Sequence, residues 1–144
     1  MTTTPETLCP SAQPDWDGAQ LFAVVGGTSD KPETAYLDRP QPVTEELLAL
    51  AGPVEPAEVF RFSAPCAKGG CCHFDEAADN CRLVEKTVRL APIVFEKLPR
   101  CAIRSDCRWW HQEGVAACKR CPQVVTNDFF PTVEMRTAAD PESR

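Results

Sequence analysis

Apolar and polar positions change their period several times along this chain, and each change marks a predicted element. Residues 1–18 hold Pro, Thr and Asp with no apolar period and read as an irregular arm. "LFAVVGG" (21–27) and "TAYL" (34–37) are rich in β-formers and flank the polar stretch "GGTSDKPE", which predicts a hairpin. The glycine pair is turn chemistry rather than a phosphate loop, because no GxxxxGK[ST] follows it. "PVTEELLALAG" (42–52) predicts a short helix, with Thr44 as N-cap, acids in the first turn and Gly52 as the stop. "PAEVFRF" (56–62) sets Val59 and Arg61 against Phe60 and Phe62, the period-two alternation of a strand.

The pattern changes at Cys66. "CAKGGCCHFDEAADNC" reads as a polar loop, and "CRLVEKTVRLAPIVFEKL" (81–98) spaces Leu83, Thr87, Leu90, Ala91, Val94 and Leu98 near helical period. Pro92 should kink or divide that helix, since it lacks an amide donor and clashes with the preceding turn. "SDCRWWHQEG" (105–114) predicts a third helix, capped by Ser105 or Asp106 and ended by Gly114. Residues 127–144 read as a flexible tail in which Phe129 and Phe130 dock and "TAADPESR" is disordered. The expected fold is α+β: a small hairpin, strand and helix unit, then a cysteine-rich helical metal-binding region, together one domain over 1–126.

Composition narrows the class. The 144 residues suffice for one domain with a modest core, and 43% apolar with 25% charged is ordinary for a soluble protein. No apolar run approaches the roughly 20 residues of a membrane span, and the start lacks the basic and apolar regions of a signal peptide. A cytoplasmic setting is expected, where thiols stay reduced. Nine cysteines, an odd number, then argue for metal ligation over a disulfide framework. Residues 1–65 carry three Lys/Arg and ten Asp/Glu, whereas 82–121 carry nine and four. The net charge of −6 disfavours nucleic acid as a partner. The local basic excess coincides with most of the cysteines, where thiolates around a metal would leave negative charge to offset; a solvated basic face is the plainer reading.

The cysteines sort into two fours. Cys101, Cys107, Cys118 and Cys121 form one group; Cys66, Cys71 and Cys81 form three of another, completed by Cys72 or the distant Cys9. Adjacent side chains diverge, so of the vicinal pair Cys71 is taken as the ligand and Cys72 as the spare thiol, leaving Cys9 to complete the set. A continuous helix over 107–118 would hold Cys107 and Cys118 about 16 Å apart, so a shared site requires a break, for which Gly114 is placed. Four thiolates suit tetrahedral zinc or an iron–sulfur cluster. There is one CxxC knuckle, not the two of many zinc sites, and Cys121 precedes proline, as the last ligand does in bacterial ferredoxins. Two iron–sulfur clusters of 4Fe-4S type are therefore preferred to zinc. Trp109, Trp110, Phe74 and Ile103 would shield a cluster or simply pack the core. His73, next to Cys72, is a candidate to replace a thiolate but reads more simply as a surface residue or a support to the ligands, and His111 as a packing or hydrogen-bonding residue.

"LCPSAQP", "FAVVGGT", "PVTEELLALAGPVEPAEVFRF" and "CRWWHQEGVAACKRCPQVVT" resemble a family of small bacterial cysteine-rich proteins, loosely labelled nitrogen fixation proteins, over residues 8–126. The resemblance implies a bacterial, cytosolic setting and no established activity. No hydrolase triad or carboxylate dyad stands out, so the chain reads as a carrier or accessory rather than an enzyme. Its expected function is electron transfer or redox sensing for a redox partner protein; the alternative is a zinc-stabilised interaction module.

Overall fold

In the computed structural model, residues 7–28, 31–68, 71–126 and 131–142 are described. The fold is α+β. A four-stranded antiparallel sheet has the order β1-β4-β2-β3, formed by β1 (Leu8–Ala12), β2 (Gln20–Gly27), β3 (Pro32–Pro42) and β4 (Phe60–Pro65). The β2–β3 hairpin is the one expected from the alternation of β-formers. Residues 8–12 are not an irregular arm, however: they form an edge strand paired with β4, Cys9 opposite Ala64. Pro10 lies where that pairing shifts register, at an edge, one of the few places where a strand tolerates a residue without an amide donor.

Helix α1 (Glu45–Ala49) starts where the sequence places it, with the Thr44 hydroxyl accepting from the Leu47 amide at 3.1 Å. The strand expected over 56–62 begins later. Pro56–Val59 form a helical turn, α2, opened by proline and closed by a reciprocal Glu55–Glu58 capping box, and only Phe60 enters β4. Along β4, Phe60, Phe62 and Ala64 join Ala12 and Leu21 in one core, against which Leu47, Leu48 and Val59 pack. A second core joins Phe22 and Ala23 of the sheet to Leu83, Val84, Ile103, Trp109 and Met135 of the chain's later half.

That later half departs from the expected long helices. After the two-residue strands β5 (Phe74–Asp75) and β6 (Asn80–Cys81), helix α3 spans Arg82–Leu90 and stops at Ala91. Residue 91 is extended because the ring of Pro92 disfavours helical backbone before it. A 3-10 turn at Arg104–Asp106 leads into α4 (Arg108–Glu113), whose N-cap is Cys107 rather than Ser105 or Asp106. Gly114 separates α4 from α5 (Val115–Cys118), and a 3-10 turn follows at Cys121–Gln123. The cysteines lie at the ends of these short elements and in their connections. Of the expected tail, Val133–Ala139 form a capped helix, α6, with Met135 and Ala138 in the core. It is tied to α3 by Lys86 Nζ donating to the Asp140 carbonyl at 2.6 Å and by Arg82 Nη2 donating to that of Pro141 at 2.7 Å. Phe129 and Phe130 lie outside the described residues. No helix among those described is long and apolar enough to cross a membrane.

Candidate metal centre

All nine cysteines are free thiols, and eight of them line two separate cavities. Cys9, Cys66, Cys71 and Cys81 line the first; Cys101, Cys107, Cys118 and Cys121 line the second. Space free of protein atoms, open solvent included, measures about 340 Å3 at the first and 350 Å3 at the second, and each keeps room for about one water-sized group. No three His, Cys, Asp or Glu side chains among the described residues stand close enough together to hold a single metal ion.

Strand pairing assembles the first set. Leu8 faces Pro65 across the β1–β4 ladder, and the Cys66 amide donates to the Thr7 carbonyl at 2.8 Å, so Cys9 and Cys66 are neighbours despite their separation in sequence. Cys81 ends β6, opposite Phe74. Gln112 of α4 holds its backbone from both sides, accepting from the Cys81 amide at 2.8 Å and donating to the Cys81 carbonyl at 2.9 Å. The second set depends on the break at Gly114, whose φ of +66° and ψ of −143° turn the chain between Cys107 and Cys118. The two sets adjoin, because Leu8, next to Cys9, forms a parallel β-bridge with Cys107. Trp109 lines both cavities.

Backbone amides are aimed at the sulfurs. The His73 amide donates to Cys71 Sγ at 3.4 Å. Similar donors reach Cys9 from Ser11, Cys81 from Val84 and Leu83, Cys101 from Ile103, and Cys107 from Trp110 and Trp109. These donors favour thiolate, but burial outweighs them and pushes the Cys9 and Cys107 thiols up to about 12. Thiolates at Cys81, Cys66 and Cys71 would repel one at Cys9 in addition. Burial likewise raises Cys71, Cys81, Cys101 and Cys118. Without a cationic occupant burial therefore keeps these six thiols protonated at neutral pH, and a metal would release their protons on binding.

Each cavity also has an arginine with unused donors. Arg108 lines the first, stacked on Phe74 with its guanidinium carbon 5.1 Å from the ring centroid; its buried Nη2 faces Asp79 Oδ1 at 3.6 Å, and its buried Nε has no hydrogen-bond partner among the described residues. Arg104 lines the second, stacked on Trp110 at 5.6 Å; one of its nitrogens donates to the Pro99 carbonyl, and its buried Nε has no partner. It also hydrogen-bonds Cys118. Buried N–H groups beside four thiols match an occupant with acceptor atoms of its own, such as the sulfides of an iron–sulfur cluster.

The remaining candidates fall outside both cavities. Cys72 is exposed and borders an open cleft, which also touches the four thiols of the first set. His73 lies on that cleft, half-buried, its Nδ1 without a partner and its pKa lowered by burial and by Lys86 and Arg82. His111 is exposed, its Nε2 2.6 Å from the Ser105 carbonyl. The basic excess over 82–121 pointed to cations beside the cysteines without singling out Arg104 or Arg108, whereas Arg61, Tyr36 and Gln112 were not legible beforehand.

No protein-family model, no curated protein and no solved structure matches this chain.

Proposed function

We propose that the chain is an electron-transfer or redox-sensing protein for a partner protein, with Cys9, Cys66, Cys71 and Cys81 as ligands of one iron–sulfur cluster and Cys101, Cys107, Cys118 and Cys121 as ligands of another. The observation that carries this reading is the division of eight cysteines, four and four, between two adjoining cavities. Four thiolates in each cavity suit the ligand shell of a four-iron cluster. A bound cluster supplies one-electron chemistry.

The chain's own residues would position and insulate that chemistry. Backbone amides on the sulfurs and the spare N–H groups of Arg104 and Arg108 tune the charge of the centres. Trp109, only 2% exposed, lines both cavities and would shield the centres on their shared side. The first set also borders the open cleft and is the natural point of exchange with a partner; the cleft touches none of the second set's thiols.

Anaerobic purification, followed by a visible spectrum and by iron and acid-labile sulfide analysis, tests the proposal. A brown protein with iron and sulfide near eight of each per chain is the expected outcome. A colourless preparation holding stoichiometric zinc would overturn it and favour an interaction module whose folding depends on zinc.

A further inference from the structure

Arg61 is the largest fully buried side chain of the described residues, with no exposed surface. It pairs in register with Ala23 on the central strands, on the face of β4 opposite Phe60 and Phe62. Its Nε and Nη2 donate to the Pro10 carbonyl at 3.1 and 2.8 Å, and its Nη1 donates to the Cys121 carbonyl at 2.9 Å. The rings of Phe22 and Trp109 lie 5.4 and 5.8 Å from its guanidinium carbon. These contacts satisfy the N–H groups without neutralising the charge.

Arginine does not deprotonate in proteins, and a buried charge is unfavourable unless paired. Among the described residues no carboxylate pairs with Arg61. The ionisable groups facing it are Cys121, Tyr36 and Cys107, and both Arg61 and the Tyr36 hydroxyl hydrogen-bond the Cys121 side chain. The counter-ion must therefore come from the second cysteine set. Metal-bound thiolate can supply it, because a metal deprotonates the thiols it binds; four thiolates around a dication leave a net charge of about −2.

We infer that Arg61 is the internal counter-charge of the second centre, which takes its metal as a net-negative tetrathiolate stabilised from the sheet by Arg61 and the Tyr36 hydroxyl. This rests on the second set binding a metal, as proposed above, but not on which metal. The first centre has a weaker equivalent. Arg108 stands 3.6 Å from the exposed Asp79, which already offsets part of its charge. If both centres accept an electron, each becomes more negative on reduction, so Arg61 makes the second centre the easier to reduce.

The test compares wild type with Arg61→Gln and Arg61→Lys. Metal-free protein is titrated anaerobically with ferrous iron plus sulfide and, separately, with zinc(II) alone, and metal per chain is followed against a competing chelator. In Arg61→Gln, one site should weaken by about 10–100-fold while the other stays at wild-type affinity. Arg61→Lys should keep most of the affinity because it keeps the charge. Wild-type affinity at both sites in Arg61→Gln would overturn the inference. So would Arg61→Lys as weak as Arg61→Gln, since packing and hydrogen bonds would then explain the loss. Should Arg61→Gln fail to fold, Tyr36→Phe decides: weakening at one site supports the inference, and no change at either overturns it. Wild type that binds neither probe refutes the metal reading itself, and this inference with it.

Discussion

Replacing Gly114 by alanine puts the construction of the second cysteine set to a direct test. A β-carbon at this position would meet no atom within 4 Å, so the substitution clashes with nothing. The penalty comes from the backbone alone, since φ of +66° with ψ of −143° is a conformation that residues with a side chain avoid. Holding alanine there costs about 1–3 kcal/mol, against a total stability of about 5–15 kcal/mol for a typical domain. At about 2 kcal/mol per molar urea, a penalty of 2 kcal/mol lowers the unfolding midpoint by about 1 M. The chain can escape that strain by continuing α4 into α5, but a straight helix would separate Cys107 from Cys118 by about 16 Å. The expected result is loss of metal from the second set with the first set still loaded, together with a midpoint lowered by at least that much, since lost metal takes its folding free energy with it. Metal per chain and urea unfolding followed by tryptophan fluorescence measure both quantities. Retention of both metal complements with an unmoved midpoint would refute the argument that the glycine conformation builds this set.

Three further outcomes follow from the same geometry. Cys118→Ser or Cys121→Ser should lose metal and much of the fold, since bound metal contributes folding free energy directly, whereas Cys72→Ser, on the open cleft, should leave metal content unchanged; equal losses would mean that the four-and-four division is wrong. Cys9→Ser should empty the first set alone as judged by metal per chain, and it is a cleaner probe than deleting residues 1–12, because that deletion also removes edge strand β1. Gln112→Ala leaves the Cys81 amide and carbonyl without their side-chain partner and should cost about 1–3 kcal/mol in urea unfolding, with faster release of metal from the first set to a chelator.

Local chemistry explains which elements were legible in advance. The Thr44 cap, the β2–β3 hairpin, the helix end before Pro92 and the break at Gly114 are each decided by a few adjacent residues. Two of the errors fell where distant partners decide. Residues 8–12 have the composition of a loop and become a strand because β4 offers its unpaired edge. Residues 133–139 look like a polar tail and form a helix whose Met135 and Ala138 are covered by the core around α3. In 56–59, Pro56 and the Glu55–Glu58 capping box hold a helical turn where alternation alone suggested strand.

The cysteine sets show the same division. Spacing alone grouped Cys101, Cys107, Cys118 and Cys121, because all four lie within one short stretch and a single turn at Gly114 brings the last two back. Spacing left both Cys9 and Cys72 open as the fourth member of the first group, and only the divergence of adjacent side chains favoured Cys9. The β1–β4 ladder makes that choice, placing Cys9 beside Cys66 while Cys72 stays exposed. Tertiary structure alone brings Arg61 from the sheet, Gln112 from α4 and Trp109 from between the cavities into contact with these cysteines. The sequence by itself determined which residues could serve as thiol ligands and where the chain must turn, since both depend on side-chain chemistry and on backbone freedom at single positions. Which thiols share a cavity, and which cation is buried against them, depends on strand pairing and core packing between residues far apart in the chain, and only the folded molecule decides it.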